Sequence, residues 1–271
     1  MGIDRREFIR IAGLSTLLGL GGKSAFELLS PGELEAAIQA KPEGPPGKRW
    51  AMVVDMRKLD EATAKKCAAA CHKIHNVPDI NNAKDPKDAV TDPEERIRWE
   101  VKWIWKEHYH NAFPGQDYQY MVENVKHMPF LVLCNHCENP PCVRVCPTKA
   151  TYRRPDGIVM MDMHRCIGCR FCMAGCPFGA RSFNWRDPRP FIQEVFQDYP
   201  TREAGVVEKC TFCEERLAKG QLPACVMASG GALLFGDLAD AKSKVREALK
   251  TNLTIRRKVH LGTNPQVYYI V

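Results

Sequence analysis

The chain has 271 residues, of which 45% are hydrophobic and 26% charged, so its composition is that of a globular protein and excludes wholesale disorder. Lysine and arginine outnumber aspartate and glutamate by 39 to 32, and this mild, scattered excess does not indicate nucleic-acid binding. Cysteine is the unusual residue, because 13 copies are an odd number and cannot all form disulfides within one chain. No apolar run reaches the roughly 18 residues of a membrane span, so we expect the chain not to cross a bilayer.

The amino-terminal segment 1–40 has the pattern of an export signal. Arg5 and Arg6 precede a short stretch rich in glycine, alanine and leucine, which is typical of the twin-arginine route for proteins exported already folded. An amphipathic first helix that happens to begin with two arginines is the alternative. Ala40 is the best candidate for a cleavage site, and a Pro/Gly linker follows at 41–47. We therefore expect the protein on the extracytoplasmic (periplasmic) face of a membrane.

Short strands and one surface helix are predicted in the remainder of the chain, 41–271. β-Branched or alternating apolar residues predict strands at 50–56, at 97–105, on both sides of a turn within 150–162, and at 231–238. The polar segment 76–93 is predicted to be a loop. Residues 240–250 are predicted to form a helix capped by Asp240, with Ala241, Val245, Ala248 and Leu249 facing inwards.

A cysteine pattern ending in Cys-Pro occurs twice, the second time 30 to 32 residues after the first. In a ferredoxin run of this kind, three cysteines hold one [4Fe–4S] cluster and the fourth, before proline, binds the neighbouring cluster. The spacing therefore predicts a first cluster held by Cys134, Cys137, Cys142 and Cys176, and a second held by Cys166, Cys169, Cys172 and Cys146. Structural zinc is the alternative, but zinc needs neither a third cysteine at this spacing nor the exchange of the fourth.

The remaining cysteines predict a third cluster and leave one thiol over. The third set is Cys71, Cys210, Cys213 and Cys225. A fourth cluster would need the positions of Cys67, Glu61, Ala64 and Ser229, of which only the first is a cysteine. We therefore predict three [4Fe–4S] clusters, with oxygen ligation of a fourth by Glu61 and Ser229 as the less favoured alternative. Cys67 is then a buried relic or a redox thiol, and its small apolar neighbours favour burial because they raise the thiol pKa.

Over about residues 48–271 the chain resembles the iron–sulfur electron-transfer subunits of membrane-bound oxidoreductases. The resemblance is carried by CNHCENPPCVRVCPTKA, RCIGCRFCMAGCPFGAR and KCTFCEERLAKGQLPACV. That family serves molybdenum enzymes, periplasmic hydrogenases and quinone-linked complexes, and it usually carries four clusters. The three-cluster pattern and the twin-arginine pattern are most similar to the DsrO-like periplasmic subunits of sulfite-reduction-associated complexes and their archaeal menaquinol-oxidising counterparts. The chain departs from the family in its first motif, at Ser229, and at Lys149, where glycine is common.

The expected fold is α+β, with two ferredoxin-like cluster-binding halves and loop insertions at 73–130 and 186–208. We expect the pair of clusters within 134–185 and the remaining cluster between 67–71 and 210–230. The resemblance implies an integral membrane partner of the polysulfide-reductase type that handles quinone. It also implies a haem c subunit beside it and a heterodisulfide-reductase-like module across the membrane.

The expected function is electron transfer between the quinone-reactive subunit and another redox subunit of an anaerobic respiratory complex linked to sulfur or sulfite metabolism. The sequence shows no nucleophile–base pair and no dinucleotide loop, so we expect no catalytic site and no small-molecule substrate of its own. An iron–sulfur subunit of a molybdenum reductase, formate dehydrogenase or hydrogenase is the alternative within the class. A zinc-bound structural module is the alternative outside it.

Aromatic and imidazole groups near the cysteines have two interpretations each. Trp99, Trp103 and Trp105 share one face of the strand predicted at 97–105, and we favour core packing over docking of a partner. His72 and His136 lie next to or between predicted ligands. Each could tune a cluster through a hydrogen bond, but packing within the loop is the favoured interpretation.

Overall fold

The computed structural model describes residues 49–115 and 128–271, so the predicted export signal, with Arg5, Arg6 and Ala40, lies outside the described residues. Among these residues, no helix combines the length and the apolar character needed to cross a membrane. In chain order the helices and strands are β1 (Trp50–Asp55), α1 (Glu61–Ile74), α2 (Pro93–Trp99), β2 (Ile104–Glu107), α3 (Tyr109–Ala112), β3 (Phe130–Leu133), α4 (Pro141–Arg144), β4 (Thr151–Arg153), β5 (Val159–Met161), α5 (Phe171–Ala174), β6 (Ser182–Phe183), β7 (Val207–Glu208), α6 (Glu214–Ala218), α7 (Ala224–Ala228), β8 (Leu233–Asp237), α8 (Lys244–Thr251), β9 (Thr254–Ile255) and β10 (Val267–Ile270). Short 3-10 turns occur at Pro86–Asp88, Arg189–Phe191 and Val259–Leu261.

A four-stranded sheet in the order β8-β1-β10-β9 joins the two ends of the described chain. β1 pairs antiparallel with β8 and parallel with β10, which places it at the centre. Its side chains alternate between two apolar layers, as the pleat of a strand requires. Met52 and Val54 face the main core, whereas Val53 packs with Val245 and Ala248 of α8. The predicted strand at 50–56 is therefore confirmed, with both of its faces buried.

Strands β4, β5 and β8 lie where strands were predicted. The predicted surface helix is shorter than expected. β4 and β5 pair across the turn predicted within 150–162, and β8 lies within 231–238. Helix α8 begins at Lys244, where the Ser243 side chain accepts the Arg246 backbone N–H. The predicted cap Asp240 and inward position of Ala241 are therefore wrong, because Ser243 ends the preceding turn and Ala241 is exposed.

The strand predicted at 97–105 is wrong over its first half. Residues Pro93–Trp99 form α2, whose amino terminus is capped by the Asp92 side chain and begins with proline. Ile97 is 76% exposed, so the alternation of apolar residues does not correspond to a buried face at this position. The strand β2 begins only at Ile104. Trp103 is fully buried and stacks on His75 with ring centroids 4.5 Å apart, which supports core packing for that tryptophan.

Helix α1 was not predicted, and it determines the surroundings of two cysteines. The Asp60 side chain accepts the Thr63 backbone N–H and caps the helix. Its buried face contains Ala64, Cys67 and Cys71, at the spacing that places residues on one side of a helix. This face packs against α7. The mixture of helices and small sheets is α+β, while the division into two ferredoxin-like halves stays a prediction.

Candidate metal centres

The first predicted cysteine set lines one cavity of about 310 Å³. Its four thiols come from the end of β3, the loop that follows, α4 and the segment after α5, and they are Cys134, Cys137, Cys142 and Cys176. Burial, together with the neighbouring thiolate of Cys134, raises the pKa of Cys137 to about 12. Both cysteine repeats therefore contribute to the same cavity, as the exchange of fourth ligands requires.

The second predicted set lines a cavity of about 260 Å³. Its thiols are Cys146, Cys166, Cys169 and Cys172, of which only the last is fully buried. Burial acts to raise the pKa of Cys146, but hydrogen bonds outweigh it and the pKa is lowered. The Thr151 backbone N–H lies 3.5 Å from the sulfur and favours the thiolate, which is the form that binds metal.

The third predicted set brings together an early helix and the carboxy-terminal part of the chain. Cys71 lies on α1, Cys210 follows β7, Cys213 precedes α6, and Cys225 lies on α7, and all four are buried. Burial raises the pKa of Cys71 well above its usual value, and the thiolates of Cys210, Cys225 and Cys213 add to the shift. The Phe212 backbone N–H lies 3.4 Å from the Cys210 sulfur. The four thiols therefore share one buried electrostatic environment.

The three sets follow one another in space with the first in the middle. Cys142 of the first set and Cys172 of the second pack in one apolar cluster with Val159 and Val207. On the other side, burial raises the pKa of Cys210 and the thiolate of Cys134 is the next largest cause. The first set therefore lies next to both of the others, which gives the order second, first, third.

One backbone feature is shared by three Cys-x-x-Cys loops, which are Cys134–Cys137, Cys166–Cys169 and Cys210–Cys213. The residue before the second cysteine has left-handed backbone in each, with φ of 40° at His136, 69° at Gly168 and 57° at Phe212. Such a turn directs successive backbone N–H groups to one side, where they can face an anionic group. Position 168 also has no room for a side chain, because a Cβ there would lie 2.5 Å from the carbonyl oxygen of Gly205. The two non-glycine residues show that the fold enforces this conformation against its intrinsic cost.

The segments after the two Cys-Pro pairs also match in backbone. Lys149 has φ of 55° and Gly179, at the equivalent position of the second repeat, has φ of 64°. The lysine that departs from the family pattern therefore adopts the conformation that glycine adopts freely. Ala150 and Ala180 follow them and are both buried. The internal repeat seen in the sequence is thus a repeat of structure.

Cys67 is apart from the three sets, although it lies one turn from Cys71. Its side chain is fully buried, and its thiol donates a hydrogen bond of 3.3 Å to the carbonyl oxygen of Cys225. Burial raises the pKa of Cys67 to about 11, the direction expected from its small apolar neighbours. A thiol with such a pKa is poorly nucleophilic at neutral pH.

The oxygen atoms considered for a fourth cluster have other partners. The Ser229 hydroxyl donates to the carbonyl oxygen of Val226 at 2.7 Å and accepts the Leu233 backbone N–H at 3.1 Å. Glu61 lies on the surface, where its carboxylate pairs with the Lys106 ammonium at 2.9 Å. Ala64 is buried in the face of α1 that packs on α7. These side chains serve the packing of the two helices and their turns.

His136 packs between the first and third cysteine loops. Its Nδ1 accepts the Val159 backbone N–H at 3.1 Å, and its ring stacks on Phe212 with centroids 3.6 Å apart. Burial lowers the pKa of His136 well below its usual value, so the ring is neutral at neutral pH. Burial also lowers the pKa of His72. The favoured packing interpretation therefore fits His136 closely.

A polar group formed by His75 and Glu215 lies beside the third set, and it was not predicted from the sequence. His75 lies with Nδ1 at 2.9 Å from the carbonyl oxygen of Cys71 and 3.5 Å from its sulfur, and with Nε2 at 3.1 Å from the Glu215 carboxylate. The ligand atoms of His75, Cys213 and Glu215 lie within 4.8 Å of one another. Burial acts to raise the pKa of Glu215, but the interaction with His75 acts against it and the pKa is lowered. Only the Cys71–His75 spacing on α1 hinted at this group.

The second cavity lies below an exposed apolar patch. Ile167 and Phe171, which flank its cysteines, are 67% and 59% exposed, and Trp185 is 41% exposed. The Arg170 guanidinium lies 4.6 Å from the Trp185 ring centroid. Exposed aromatic and aliphatic side chains in one place are typical of interaction surfaces. This patch, named here the Ile167 patch, is formed by Ile167, Phe171 and Trp185.

Sets of four cysteine thiols brought together from distant parts of the chain fit iron–sulfur clusters, which take four thiolates each. A model of the 4Fe-4S dicluster domain matches residues 125–189, the range that contains both repeats. The chain is 38% identical to the Hdr-like menaquinol oxidoreductase iron-sulfur subunit 1 of Archaeoglobus fulgidus, over 98% of this chain and 97% of that protein. It is 31% identical to a tetrathionate reductase subunit of Salmonella typhimurium, over 100% of this chain and 89% of that protein. It is also 31% identical to the menaquinone reductase iron-sulfur cluster-binding subunit of Nitratidesulfovibrio vulgaris, over 82% of this chain and 88% of that protein.

Proposed function

Because this chain belongs to the iron–sulfur electron-transfer subunits of membrane quinone oxidoreductases, we propose that it moves electrons singly through three [4Fe–4S] clusters. The observation that carries the proposal is the convergence of the first two predicted sets of thiols on two separate cavities. The chain's own residues hold the clusters, exclude water and set their spacing. Each cluster supplies a site that gains or loses one electron.

The proposed ligands are the three sets of cysteines predicted from the spacing. The first cluster takes Cys134, Cys137, Cys142 and Cys176, the second takes Cys166, Cys169, Cys172 and Cys146, and the third takes Cys71, Cys210, Cys213 and Cys225. The shared cavities support the first two sets, and the mutual influence of buried thiols supports the third. Backbone N–H groups at Thr151 and Phe212 already point at two of the sulfurs.

The number of clusters is proposed to be three because protein fills the fourth position. The face of α1 that carries Ala64 and Cys67 packs against α7. Ser229 closes the turn after α7 with its own hydroxyl. The third cluster is therefore the terminal one at its end of the row.

Electrons are proposed to enter or leave at the Ile167 patch. Three of the four cysteines of the second cavity are partly exposed, against one, Cys176, in the first set and none in the third. Tunnelling rates fall steeply with distance, so a partner's redox group must approach the cluster that lies nearest the surface. The apolar side chains of Ile167 and Phe171 offer area for that contact.

The proposed setting is an anaerobic respiratory complex on the extracytoplasmic face of the membrane, linked to sulfur or sulfite metabolism. Relatives whose names refer to menaquinol oxidoreductase, menaquinone reductase and polysulfide reductase support a membrane subunit that handles quinone. The twin-arginine pattern at Arg5 and Arg6 supports export of the loaded protein. A haem c subunit is the proposed second partner. The first cysteine motif of the family retains only Cys67 and Cys71 in this chain, which counts against the iron–sulfur subunit of a molybdenum reductase or formate dehydrogenase.

The experiment is anaerobic purification of the full chain followed by iron, acid-labile sulfide and zinc analysis. We expect about twelve irons per chain, since each of three clusters holds four. Visible absorbance should bleach on addition of dithionite, and the reduced protein should give an electron paramagnetic resonance signal. Zinc in place of iron, with no colour to bleach, would mean a structural zinc module and would refute electron transfer.

A further inference from the structure

Arg181 is a buried cation in an unusual position. Its side chain is 5% exposed, and it follows the second Cys-Pro segment directly after Ala180. Nη1 donates to the Thr151 hydroxyl at 3.1 Å and lies 3.7 Å from the Met161 sulfur. Nη2 is buried and has no hydrogen-bond partner. Guanidinium groups stay protonated in proteins, so this positive charge is permanent.

No carboxylate pairs with Arg181 among the described residues. Arg202, which is equally buried, shows the usual arrangement, because it pairs with the Glu208 carboxylate at 2.6 Å and also donates to backbone carbonyls. An uncompensated buried charge costs several kcal/mol or more, and proteins ordinarily neutralise or pair it. Arg181 therefore requires a negative group that the protein's own carboxylates do not supply.

The guanidinium lies on the wall between the first two cavities. Arg181 lines the first cavity, and Met161, which it contacts, lines the second. Burial acts to lower the pKa of Arg181, but the thiolates of Cys142 and Cys172 outweigh it and the pKa is raised. One of those cysteines belongs to each cavity. The anionic groups on either side are therefore the partners that the charge requires.

We propose that Arg181 is shared by the first and second clusters and raises the reduction potentials of both. The inference rests on the proposed function, since it assumes that the two cavities hold [4Fe–4S] clusters. An oxidised four-thiolate cluster carries a charge of about −2, and reduction adds one electron and one negative charge. A fixed positive charge on the shared wall stabilises the more negative state on either side. When an electron passes from one cluster to the other, Arg181 keeps its proton, and no proton or other atom is transferred.

The position also explains why the residue is arginine. A lysine ammonium directs its donors from a single point, whereas guanidinium presents them along the edges of a plane. Lys209, the buried lysine near the third set, illustrates the contrast, because its ammonium is satisfied by the carbonyl oxygens of Val159 and Cys210. Arg181 instead has a buried Nη2 without a hydrogen-bond partner. A planar cation with donors on two edges can face both cavities at once.

The test compares reduction potentials in the purified full chain by redox titration monitored by electron paramagnetic resonance. Arg181→Met removes the charge, and Arg181→Lys keeps it. We expect Arg181→Met to lower the equilibrium constant for reduction of the first two clusters at least tenfold, about 59 mV for one electron. Arg181→Lys should change it less, and the third cluster should stay as in the wild type. Arg246→Met is the matched control, because it removes one positive charge from α8, which lines neither cavity.

Iron content is measured beside each titration, so that every result decides the question. A wild type without iron would refute the proposed function itself. Full iron with unchanged potentials in Arg181→Met would overturn the role of Arg181 alone. If Arg181→Met loses iron, Arg181→Gln is the second neutral variant, because it removes the charge but keeps a polar donor for the Thr151 hydroxyl, and the same two potentials must fall. If both neutral variants lose iron, retention by Arg181→Lys supports the charge, and loss in all three overturns it.

Discussion

The thiol of Cys67 donates a hydrogen bond to the carbonyl oxygen of Cys225, 3.3 Å away and 158 residues later in the chain. A cysteine that belongs to no proposed set therefore packs on the backbone of one that does. Cys71 lies one turn further along the same buried face of α1. Two chemically identical side chains on one helix thus have different expected functions, and substitution can separate them.

Serine at position 71 should damage one cluster, and serine at position 67 should damage none. Cys71→Ser removes a proposed thiolate of the third cluster, so we expect loss of up to four of about twelve irons or a changed potential of one centre. Cys67→Ser should keep the iron content and the spectrum of the reduced protein. Iron analysis and electron paramagnetic resonance make the comparison. A loss of about four irons in Cys67→Ser, or about sixteen irons in the wild type, would require a fourth cluster.

Removal of iron should abolish cooperative unfolding. The apolar cluster between the first two cavities is small, and two of its six buried side chains are the proposed ligands Cys142 and Cys172. Chelation under reducing, anaerobic conditions should therefore broaden or eliminate the thermal transition seen by calorimetry. Reconstitution with iron and sulfide is the control and should restore it. An apo chain that melts at the holoprotein's temperature would show that the clusters do not organise the core.

The ion pair at the end of β1 should make stability depend on pH. The Asp55 carboxylate accepts hydrogen bonds from Arg57, with Nε at 2.9 Å, and these bonds lower the pKa of Asp55. Since the folded pKa lies below the unfolded value of about 3.9, the stabilisation is complete above that pH and is lost as pH falls through the folded value. Asp55→Asn should cost about 0.5–1 kcal/mol at neutral pH, because solvent screens the exposed Arg57.

Anaerobic urea unfolding of wild type and Asp55→Asn at a series of pH values checks this relationship. The difference in free energy of unfolding between the two proteins should shrink as the solution becomes acidic. Subtracting the variant from the wild type removes the general acid sensitivity of the clusters. A difference that grows on acidification would have the opposite sign to that expected from the lowered pKa of Asp55.

Replacement of both Arg5 and Arg6 by lysine should retain the loaded protein in the cytoplasm. The twin-arginine pair is read before translocation, so cluster binding itself should be unaffected. Fractionation of cells followed by immunoblotting and iron analysis measures the outcome. A matched change of Arg10 to lysine, outside the pair, is the control. Normal arrival of the double variant at the extracytoplasmic membrane face would refute the proposed localisation.

A charge on the Ile167 patch should slow electron exchange without loss of iron. Phe171→Glu places a carboxylate at a 59% exposed apolar position beside the second cavity. We expect a drop of about tenfold or more in the rate at which membranes containing the partner subunits reduce the clusters, since one desolvated charge costs about 1.4 kcal/mol or more. Leu253→Glu, at a 76% exposed position after α8, is the control. Equal rates for both variants would place the contact elsewhere.

The cysteine spacing predicted which thiols meet, because the geometry of a cubane site restricts ligand positions along the chain. Cys176 of the second repeat therefore lines the first cavity, and Cys146 of the first repeat lines the second. The alternation of apolar residues at 97–105 was misleading, although Asp92 and Pro93 carried the ordinary signals of a helix start. The pairing of β1 with β10 and the position of Arg181 depend on contacts between distant parts of the chain, and no local pattern reports them.

The central position of β1 also has a consequence for the order of events during synthesis. The ribosome delivers Trp50–Asp55 early, whereas the strands that flank it start only at Leu233 and Val267. Nascent chains fold from the amino terminus where they can, but this strand has to wait with both edges open. The two cysteine repeats emerge in the meantime and are available to the cell's metal-delivery machinery. β8 and β10, which emerge after both repeats, are the strands that close the sheet around β1.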